Sequence, residues 1–287
     1  MSDPTSQRAP DWSWAGQMID ARPQIVADRR LLLELLAGLD HADWELPTVC
    51  PGWNVHDVAG HIVHGYLRRL SGGRDGHSVV WLSPDDLPRA LARVNEEFVA
   101  QTRALSPQLL TDLLEHFGPQ LDAYWASLDL AAIGGNDVWW AAPGIPAPVW
   151  LDVAREYTET WVHQQQIRDA VGRPEANRPE LAYPVIDTFL RAMPRALGHV
   201  TAAEGTALRI TVSGAAEGSW TVTRGREGWS MAGHPDPGLT TLLEIGTDTL
   251  WRLATGGITK EAALAGVRLT GDQAVGDAAL AIVSIIR

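Results

Sequence analysis

The sequence predicts a two-domain α+β protein in which an all-helical domain precedes a smaller domain of strands and helices. Its 287 residues exceed the usual size of one domain. Up to Leu197, apolar residues recur mainly at helical spacing. After about residue 205, polar and apolar residues instead alternate, in segments separated by glycine-rich turns. The predicted parts are a tail (1–20), a helical domain (21–178), a connecting helix (179–205) and an α+β domain (206–287).

Composition narrows the classes of partner and compartment. The chain has 35 acidic and 23 basic residues, a formal net charge of -12, and such a charge disfavours binding to nucleic acid. Its single cysteine, Cys50, cannot form an internal disulfide, and the N-terminus lacks the pattern of a signal peptide. No apolar run approaches the roughly 20 residues that cross a bilayer. We therefore expect a cytoplasmic monomer or homodimer that does not contact a membrane.

Helical periodicity predicts the elements of the first domain in order. A first helix covers Ile25 to Leu39 and ends near Gly38, and a second runs from an Asn54 cap to about Leu70. A third helical stretch is expected from Pro84 to Leu114, with an interruption at Pro107. Residues 116–148 are expected to form irregular structure around a short helix. The clearest helix runs from Trp150 to Val171 and is followed by Gly172. A further helix is expected from Glu180 to Leu197.

Alternation predicts the second domain. The segments ALRITV, GSWTVTR and GWSMA predict an antiparallel meander, because each alternates polar and apolar residues and glycine-rich turns separate them. Helices are expected near 247–255 and 259–265. A short strand, VRLTG, and a closing helix from Asp272 to Ile286 complete the domain.

The helix from Trp150 carries a pair of residues with metal-binding chemistry. Glu159 and His163 lie one turn apart, so both side chains can reach one ion. The alternative is a solvated surface pair, and four large apolar residues on the opposite side of the helix favour it: Trp150, Val153, Tyr157 and Trp161. Val149 and Ile167 flank the Glu-His face, so the pattern leaves both interpretations open.

The second helix offers histidines as further ligands. His61 and His64 lie one turn apart, and position alone does not separate them; His56 lies near the start of the helix. The alternative is an exposed polar stripe that also includes Asp57 and Arg68. The sequence contains no HExxH motif, paired CxxC, phosphate-binding loop or dinucleotide fingerprint.

Two segments carry a resemblance to a known family. CPGWNVHDVAGHIVHG at 50–65 and EYTETWVHQQQIRDAVGRP at 156–174 resemble the mycothiol-dependent maleylpyruvate isomerase family. DTLWRLATGG and VRLTGDQAVGD resemble the sterol-carrier-like domain that often accompanies it. The resemblance implies a DinB-like four-helix bundle followed by a small α+β sterol-carrier-like domain. It also implies that His61, Glu159 and His163 bind a divalent metal, zinc first and nickel second.

The resemblance further implies the chemistry. Two imidazoles and one carboxylate leave a fourth zinc position open, as catalytic sites do. The implied co-substrate is mycothiol, whose thiol attacks a small electrophile, and the protein acts as an S-transferase or a cis-trans isomerase. Cys50 is expected to pack as a small apolar group, so the thiol comes from outside.

Further residues are candidates for handling the substrate and thiol. Arg252 is the candidate catalytic cation, although relatives place an arginine where this chain has Gly256-Gly257. Trp53 and Gln166 are the candidates for contacting the cofactor, and Gln166 stands where many relatives have aspartate. Tyr157 and Trp161 are candidates for lining the site. The alternative function is a non-catalytic module in which the C-terminal domain holds an apolar small molecule.

Overall fold

A computed structural model describes residues 10–77, 87–135, 138, 140–173, 178–232 and 238–284, and it divides into two compact units. The helical unit comprises Ala21–Leu128 and Val153–Val185. The mixed unit comprises the described residues of Met1–Asp20, Asp129–Asp152 and Ile186–Ile286. The predicted α+β class is confirmed. The predicted domain bounds stay a prediction, since compact units group residues by proximity rather than by independent folding.

Long helices form the helical unit. They are α1 (Arg22–Ala37), α3 (Val55–Arg68), α4 (Leu87–Thr102), α5 (Pro107–Ser127) and most of α6 (Val149–Ala170), with the short α2 (His41–Trp44) after α1. α1 packs on α5, while α3 packs on α4 and α5. The core members include Leu32, Val58, Leu110, Leu114, Trp125 and Trp161. In the described part of the chain, no helix is both long and apolar enough to cross a membrane.

Helix α3 begins as predicted. Asn54 accepts a hydrogen bond from the backbone N–H of Asp57, and the Asp57 side chain accepts one from the backbone N–H of Asn54. This reciprocal pair satisfies two backbone donors that the first turn leaves unpaired. Gly60 lies in the middle of the helix because a Cβ there would meet Thr102 Oγ1 at 2.2 Å. α3 and α4 therefore approach closely next to His61.

Helix α5 corrects the prediction of irregular structure after residue 116. It continues to Ser127 and passes through Pro119, although proline removes a helical hydrogen bond. A buried stripe of Leu110, Leu114, Leu121 and Trp125 runs along the whole helix. Tertiary packing of this stripe outweighs the local cost of the proline.

Helix α6 agrees closely with its predicted limits. It ends at Ala170, and Gly172 follows with a φ of 61°, the left-handed conformation that commonly ends a helix. Apolar residues such as Val153 and Trp161 are buried, and Gln164, Gln165 and Gln166 are buried as well. The helix therefore buries polar and apolar side chains on different sides, and its sequence shows no simple amphipathic pattern.

The mixed unit contains a five-stranded sheet in the order β5-β4-β3-β6-β7. The strands are β3 (Thr206–Ser213), β4 (Gly218–Arg224), β5 (Trp229–Ser230), β6 (Gly238–Gly246) and β7 (Val267–Gly271), and a short pair, β1 (Ile133–Gly135) and β2 (Ala147–Pro148), precedes them. β3, β4 and β5 form the predicted antiparallel meander, and β7 coincides with VRLTG. β6 was not predicted, and it pairs with β3 in parallel.

The helices of the mixed unit follow most of the predicted positions. α9 (Thr247–Ala254) and α10 (Lys260–Ala263) match expectation. The predicted helix 180–197 is instead two helices, α7 (Pro179–Leu190) and α8 (Met193–Ala196). The predicted closing helix is shorter, since α11 ends at Ala279, and the last predicted residues, 285 and 286, lie outside the described residues.

Candidate metal centre

The three histidines of α3 occupy different environments. His56 Nε2 lies 2.9 Å from the backbone oxygen of Leu105. The His64 ring stacks on Phe98, with centroids 4.3 Å apart and an interplanar angle of 14°. His61 Nε2 instead lies 3.1 Å from Glu159 Oε1 of α6. The structure therefore separates His61 from His64, which sequence position alone could not do.

The alternative interpretation of α3, an exposed polar stripe, holds only for Arg68, whose side chain is 44% exposed. His61 and His64 are buried, and Asp57 is buried as well, where it receives hydrogen bonds from Arg103. Burial of the His64 ring, together with the positive charges of His61 and Arg68, lowers its pKa to about 4. His64 is therefore a neutral ring at physiological pH.

His61, Glu159 and His163 form what we term the metal-capable cluster. One ligand atom from each residue lies within 4.8 Å of the other two. Glu159 Oε1 is 3.1 Å from His61 Nε2 and 3.5 Å from His163 Nε2, so the carboxylate oxygen lies between two imidazole nitrogens. The side chain of Glu159 is 25% exposed, whereas that of His163 is 3% exposed. Solvent therefore reaches the cluster from the carboxylate side.

Electrostatics within the cluster favour a carboxylate beside an imidazolium when no metal is present. Burial opposes the ionised form of Glu159, but hydrogen bonds and charges from both histidines hold its pKa well below the usual value. Burial likewise opposes protonation of His163, but Cys50 and Glu159 outweigh it and raise the pKa of this histidine. Burial lowers the pKa of His61, and the charge on His163 adds to that effect.

The donor atoms fit a dication. Within the described residues, His163 Nε2, which faces Glu159, is buried without a hydrogen-bond partner. His61 Nδ1 lacks a partner as well, although the nitrogen of His61 that faces Glu159 is Nε2. A buried nitrogen without a partner is costly unless a ligand, ion or water satisfies it. Two imidazoles and one carboxylate are a ligand set that zinc accepts in catalytic sites, where a fourth position stays open.

An outer layer of polar groups supports His163. Its Nδ1 lies 2.7 Å from Gln166 Oε1, and the Cys50 thiol donates to the same oxygen over 3.1 Å. The expectation that Cys50 packs as a small apolar group is therefore wrong, since its thiol makes a polar contact with Gln166. The sequence could have indicated the contact between His163 and Gln166, since the two residues lie one helical turn apart. No local pattern indicated that Cys50 would contact Gln166.

Trp53 and a group of arginines border the cluster. The Trp53 ring lies 5.1 Å from the His61 ring and donates its Nε1–H to Glu96 over 2.8 Å. Arg155 lies 4.0 Å from Glu159 Oε2. Arg68, Arg69 and Arg155 also share Glu156 as a partner. The rim of the site thus carries one large aromatic ring and several guanidinium groups.

The contacts observed for Tyr157 and Arg252 involve groups outside the metal-capable cluster. Tyr157 is buried and donates its hydroxyl to the backbone oxygen of Leu181 over 2.8 Å, and Trp161 lies in the core. Arg252 belongs to α9 of the mixed unit, where it pairs with Asp248 over 2.9 Å and lies over the Trp251 ring. The metal-capable cluster is formed by the helical unit alone.

Comparison with known proteins places this geometry in context. The sequence model of a family, described as "Mycothiol maleylpyruvate isomerase N-terminal domain", matches residues 25–168. Two solved structures are similar, each over 88% of this chain and 92% of its own. One is a mycothiol-dependent maleylpyruvate isomerase, with 15% sequence identity and a TM-score of 0.53. The other is a mutant of a mycothiol-dependent maleylpyruvate isomerase, with 14% sequence identity and a TM-score of 0.52. At such low identity, the structural similarity shows a shared fold and no more. No curated protein matches the chain significantly.

Proposed function

We propose a function from one established premise: the chain belongs to the mycothiol maleylpyruvate isomerase family, whose N-terminal domain model matches half of it. The proposed function is that of a metal-dependent enzyme that activates an external small thiol, mycothiol, for attack on a small electrophile. The observation that carries it is the convergence of His61, Glu159 and His163, with their ligand atoms within 4.8 Å of one another.

The metal-capable cluster would hold zinc, with nickel as the second candidate. A dication there would lower the pKa of a bound thiol, so that the thiol would release its proton to solvent at neutral pH, where a free thiol is mostly protonated. The dication and the Glu159 carboxylate together carry a charge of about +1, which one thiolate neutralises. Cys50 is engaged with Gln166 over 3.1 Å, which supports an external thiol as the reagent.

The reaction begins when the thiolate sulfur forms a carbon–sulfur bond to the electrophile. In an unsaturated acid, the electrons of the former double bond move to the conjugated carbonyl. If the new single bond then rotates and the thiolate leaves, the double bond re-forms and the product is the cis-trans isomer. If the adduct instead takes up a proton and stays intact, the product is a thioether. The first course is isomerisation and the second is S-transfer.

Two further residues have proposed roles toward these substrates. Trp53 borders the thiol at the rim, since its ring lies 5.1 Å from that of His61 and its indole is fixed by Glu96. Arg252 is the proposed cation for an acidic group of the electrophile. That role requires Arg252 to exchange its pairing with Asp248 for the substrate.

A mass-spectrometric screen tests the proposal. The protein would be incubated with mycothiol and a panel of unsaturated diacids, epoxides and halides, with chelator-stripped protein as the matched control. We expect about one equivalent of zinc or nickel in the purified protein, and adducts or isomers only in the metal-loaded sample. A fully loaded protein that yields neither product would contradict the proposed function. Metal retained after both His61→Ala and His163→Ala would contradict the ligand set.

A further inference from the structure

The two ring nitrogens of His163 face different partners. Nε2 belongs to the metal-capable cluster and lies 3.5 Å from Glu159 Oε1. Nδ1 lies on the other side of the ring, 2.7 Å from the amide oxygen of Gln166. Both side chains are buried, so water does not compete strongly for these contacts. A neutral imidazole that donates Nδ1–H keeps its Nε2 lone pair available for an ion.

We infer that Gln166 is a positioning residue for the metal site, and this inference rests on the proposed function. Its amide oxygen accepts the Nδ1–H of His163 and thereby presents the unprotonated Nε2 to the ion. Metal-binding histidines usually donate their second N–H to such an acceptor, which fixes both the tautomer and the ring orientation. Gln166 therefore acts through His163 and not by contact with the thiol.

Cys50 supports this orientation of the amide. Its thiol donates to the same Gln166 oxygen over 3.1 Å, so two donors converge on one acceptor. With the amide turned around, the NH2 group would face His163. The ring would then have to accept at Nδ1 and carry its hydrogen on Nε2, where a proton blocks metal binding. The second donor thus favours the metal-competent tautomer.

The neutrality of Gln166 also matters for the charge of the site. A carboxylate at this position would accept the same N–H, but it would add one negative charge next to His163. The dication, Glu159 and the two histidines would then sum to about zero rather than about +1. An amide therefore fixes the ring and preserves the attraction of the site for an anionic thiolate.

Substitution at position 166 tests the inference through zinc affinity. Gln166→Leu keeps the shape but cannot accept the hydrogen bond, and we expect zinc binding to weaken roughly 10- to 100-fold, as for other outer partners of metal ligands. Gln166→Glu retains an acceptor, so we expect it to bind zinc at least as tightly as the wild type. Competition with a chromophoric chelator measures both constants, and melting temperatures verify folding.

Gln165→Leu is the matched control. Gln165 is the adjacent buried glutamine of the same helix, and both polar atoms of its side chain lack a hydrogen-bond partner among the described residues. We expect this variant to bind zinc as the wild type does. Nitrogen NMR of the zinc-loaded wild type adds a readout that packing alone would not move, because it shows whether Nδ1 of His163 carries the hydrogen.

The outcomes separate this inference from the proposed function. If the wild type binds no zinc, the proposed metal site fails and the inference fails with it. If the wild type binds zinc and a folded Gln166→Leu binds it equally tightly, only the inference is overturned. Loss of zinc affinity by tenfold in Gln166→Glu would overturn it as well, because an acceptor is present there.

Discussion

Helix α6 contributes to two buried polar clusters that differ in the kind of polar atom they leave without a hydrogen-bond partner. The first, the Asp28 cluster, consists of Asp28, Gln164 and Arg168. Gln164 donates to the backbone oxygen and to Oδ1 of Asp28 over 3.0 and 2.8 Å, and its own oxygen accepts from Arg168 over 3.0 Å. This cluster joins α1 to α6 by bonds within the protein. Within the described residues, Oδ2 of Asp28 is buried without a hydrogen-bond partner, whereas in the metal-capable cluster the buried atoms without a partner are imidazole nitrogens.

The pKa values of the carboxylates in the two clusters are shifted in opposite directions by their surroundings. The pKa of Asp28 is raised to about 7, because the effect of burial outweighs the lowering by Arg168 and Gln164. This carboxylate is therefore readily neutralised by a proton. The pKa of Glu159 is instead held low, because two histidines stabilise its charge. A partly exposed acid that stays charged beside nitrogen ligands is prepared for a cation, whereas a buried acid that can take up a proton is suited to structure.

The largest expected difference between the clusters is in metal affinity. His163→Ala removes one of three proposed ligands, and we expect zinc affinity to fall about a thousandfold, or roughly 4 kcal/mol. Gln164→Ala, in the Asp28 cluster, is the control and should leave zinc affinity within about threefold of the wild type. Calorimetric or chelator titration checks both. Equal losses in the two variants would remove the distinction between the clusters.

The second prediction concerns pH and Asp28. Its folded pKa of about 7 lies above the ordinary aspartate value of 3.8, so the folded state binds an additional proton between these values. This contribution to stability is present below pH 4 and is lost as the pH rises to 7, at about 1.4 kcal/mol per pH unit. Asp28→Asn should lack that slope. Urea unfolding of both proteins from pH 4 to 8 measures it, and parallel curves would contradict the raised pKa.

A third prediction concerns the amide that completes the Asp28 cluster. Gln164→Leu leaves buried groups of Asp28 and Arg168 without this partner, and we expect a loss of about 3 kcal/mol in the free energy of unfolding. Zinc content should stay at the wild-type level. Chemical denaturation with parallel metal analysis tests both parts. A stable variant that loses zinc would show that the two clusters are coupled.

The smallest effect is expected at Gln165, between the two clusters. Because both polar atoms of its amide are buried without a partner among the described residues, an apolar side chain of similar size removes no observed hydrogen bond. Gln165→Leu should change the free energy of unfolding by no more than about 1 kcal/mol, in the stabilising direction. Thermal denaturation measures the change. A strong destabilisation would indicate that Gln165 has a partner that the described residues do not supply.

Local sequence signals predicted much of the fold. Asn54 correctly indicated where α3 begins, and Gly172 correctly indicated where α6 ends, because helix capping depends on residues adjacent to the helix end. Helix α5 continued through Pro119, where packing of a buried stripe outweighs propensity. Strand β6 was missed because Thr241, a polar residue, faces inward beside Leu243 while the adjacent Leu242 is only half-buried, which obscures the alternation.

The site was only partly visible in the sequence. Spacing indicated Glu159 and His163, and the family resemblance selected His61, but helical projection favoured a surface position for the pair. That projection assumes that a helix has one buried apolar face and one solvent-exposed polar face, whereas α6 buries glutamines as well as tryptophans. The contacts from Cys50 to Gln166, 116 residues apart in the chain, depend on tertiary structure and cannot be obtained from spacing.

The parallel pairing of β3 with β6 has a consequence for synthesis of the chain. When β5 has emerged from the ribosome, β3 already has β4 along one edge, but its other edge stays bare until β6 follows. A bare edge offers unpaired backbone groups to any neighbouring polypeptide. A nascent or truncated chain that ends before Gly238 is therefore expected to aggregate, because the central strand β3 gains its second neighbour only when β6 has been made.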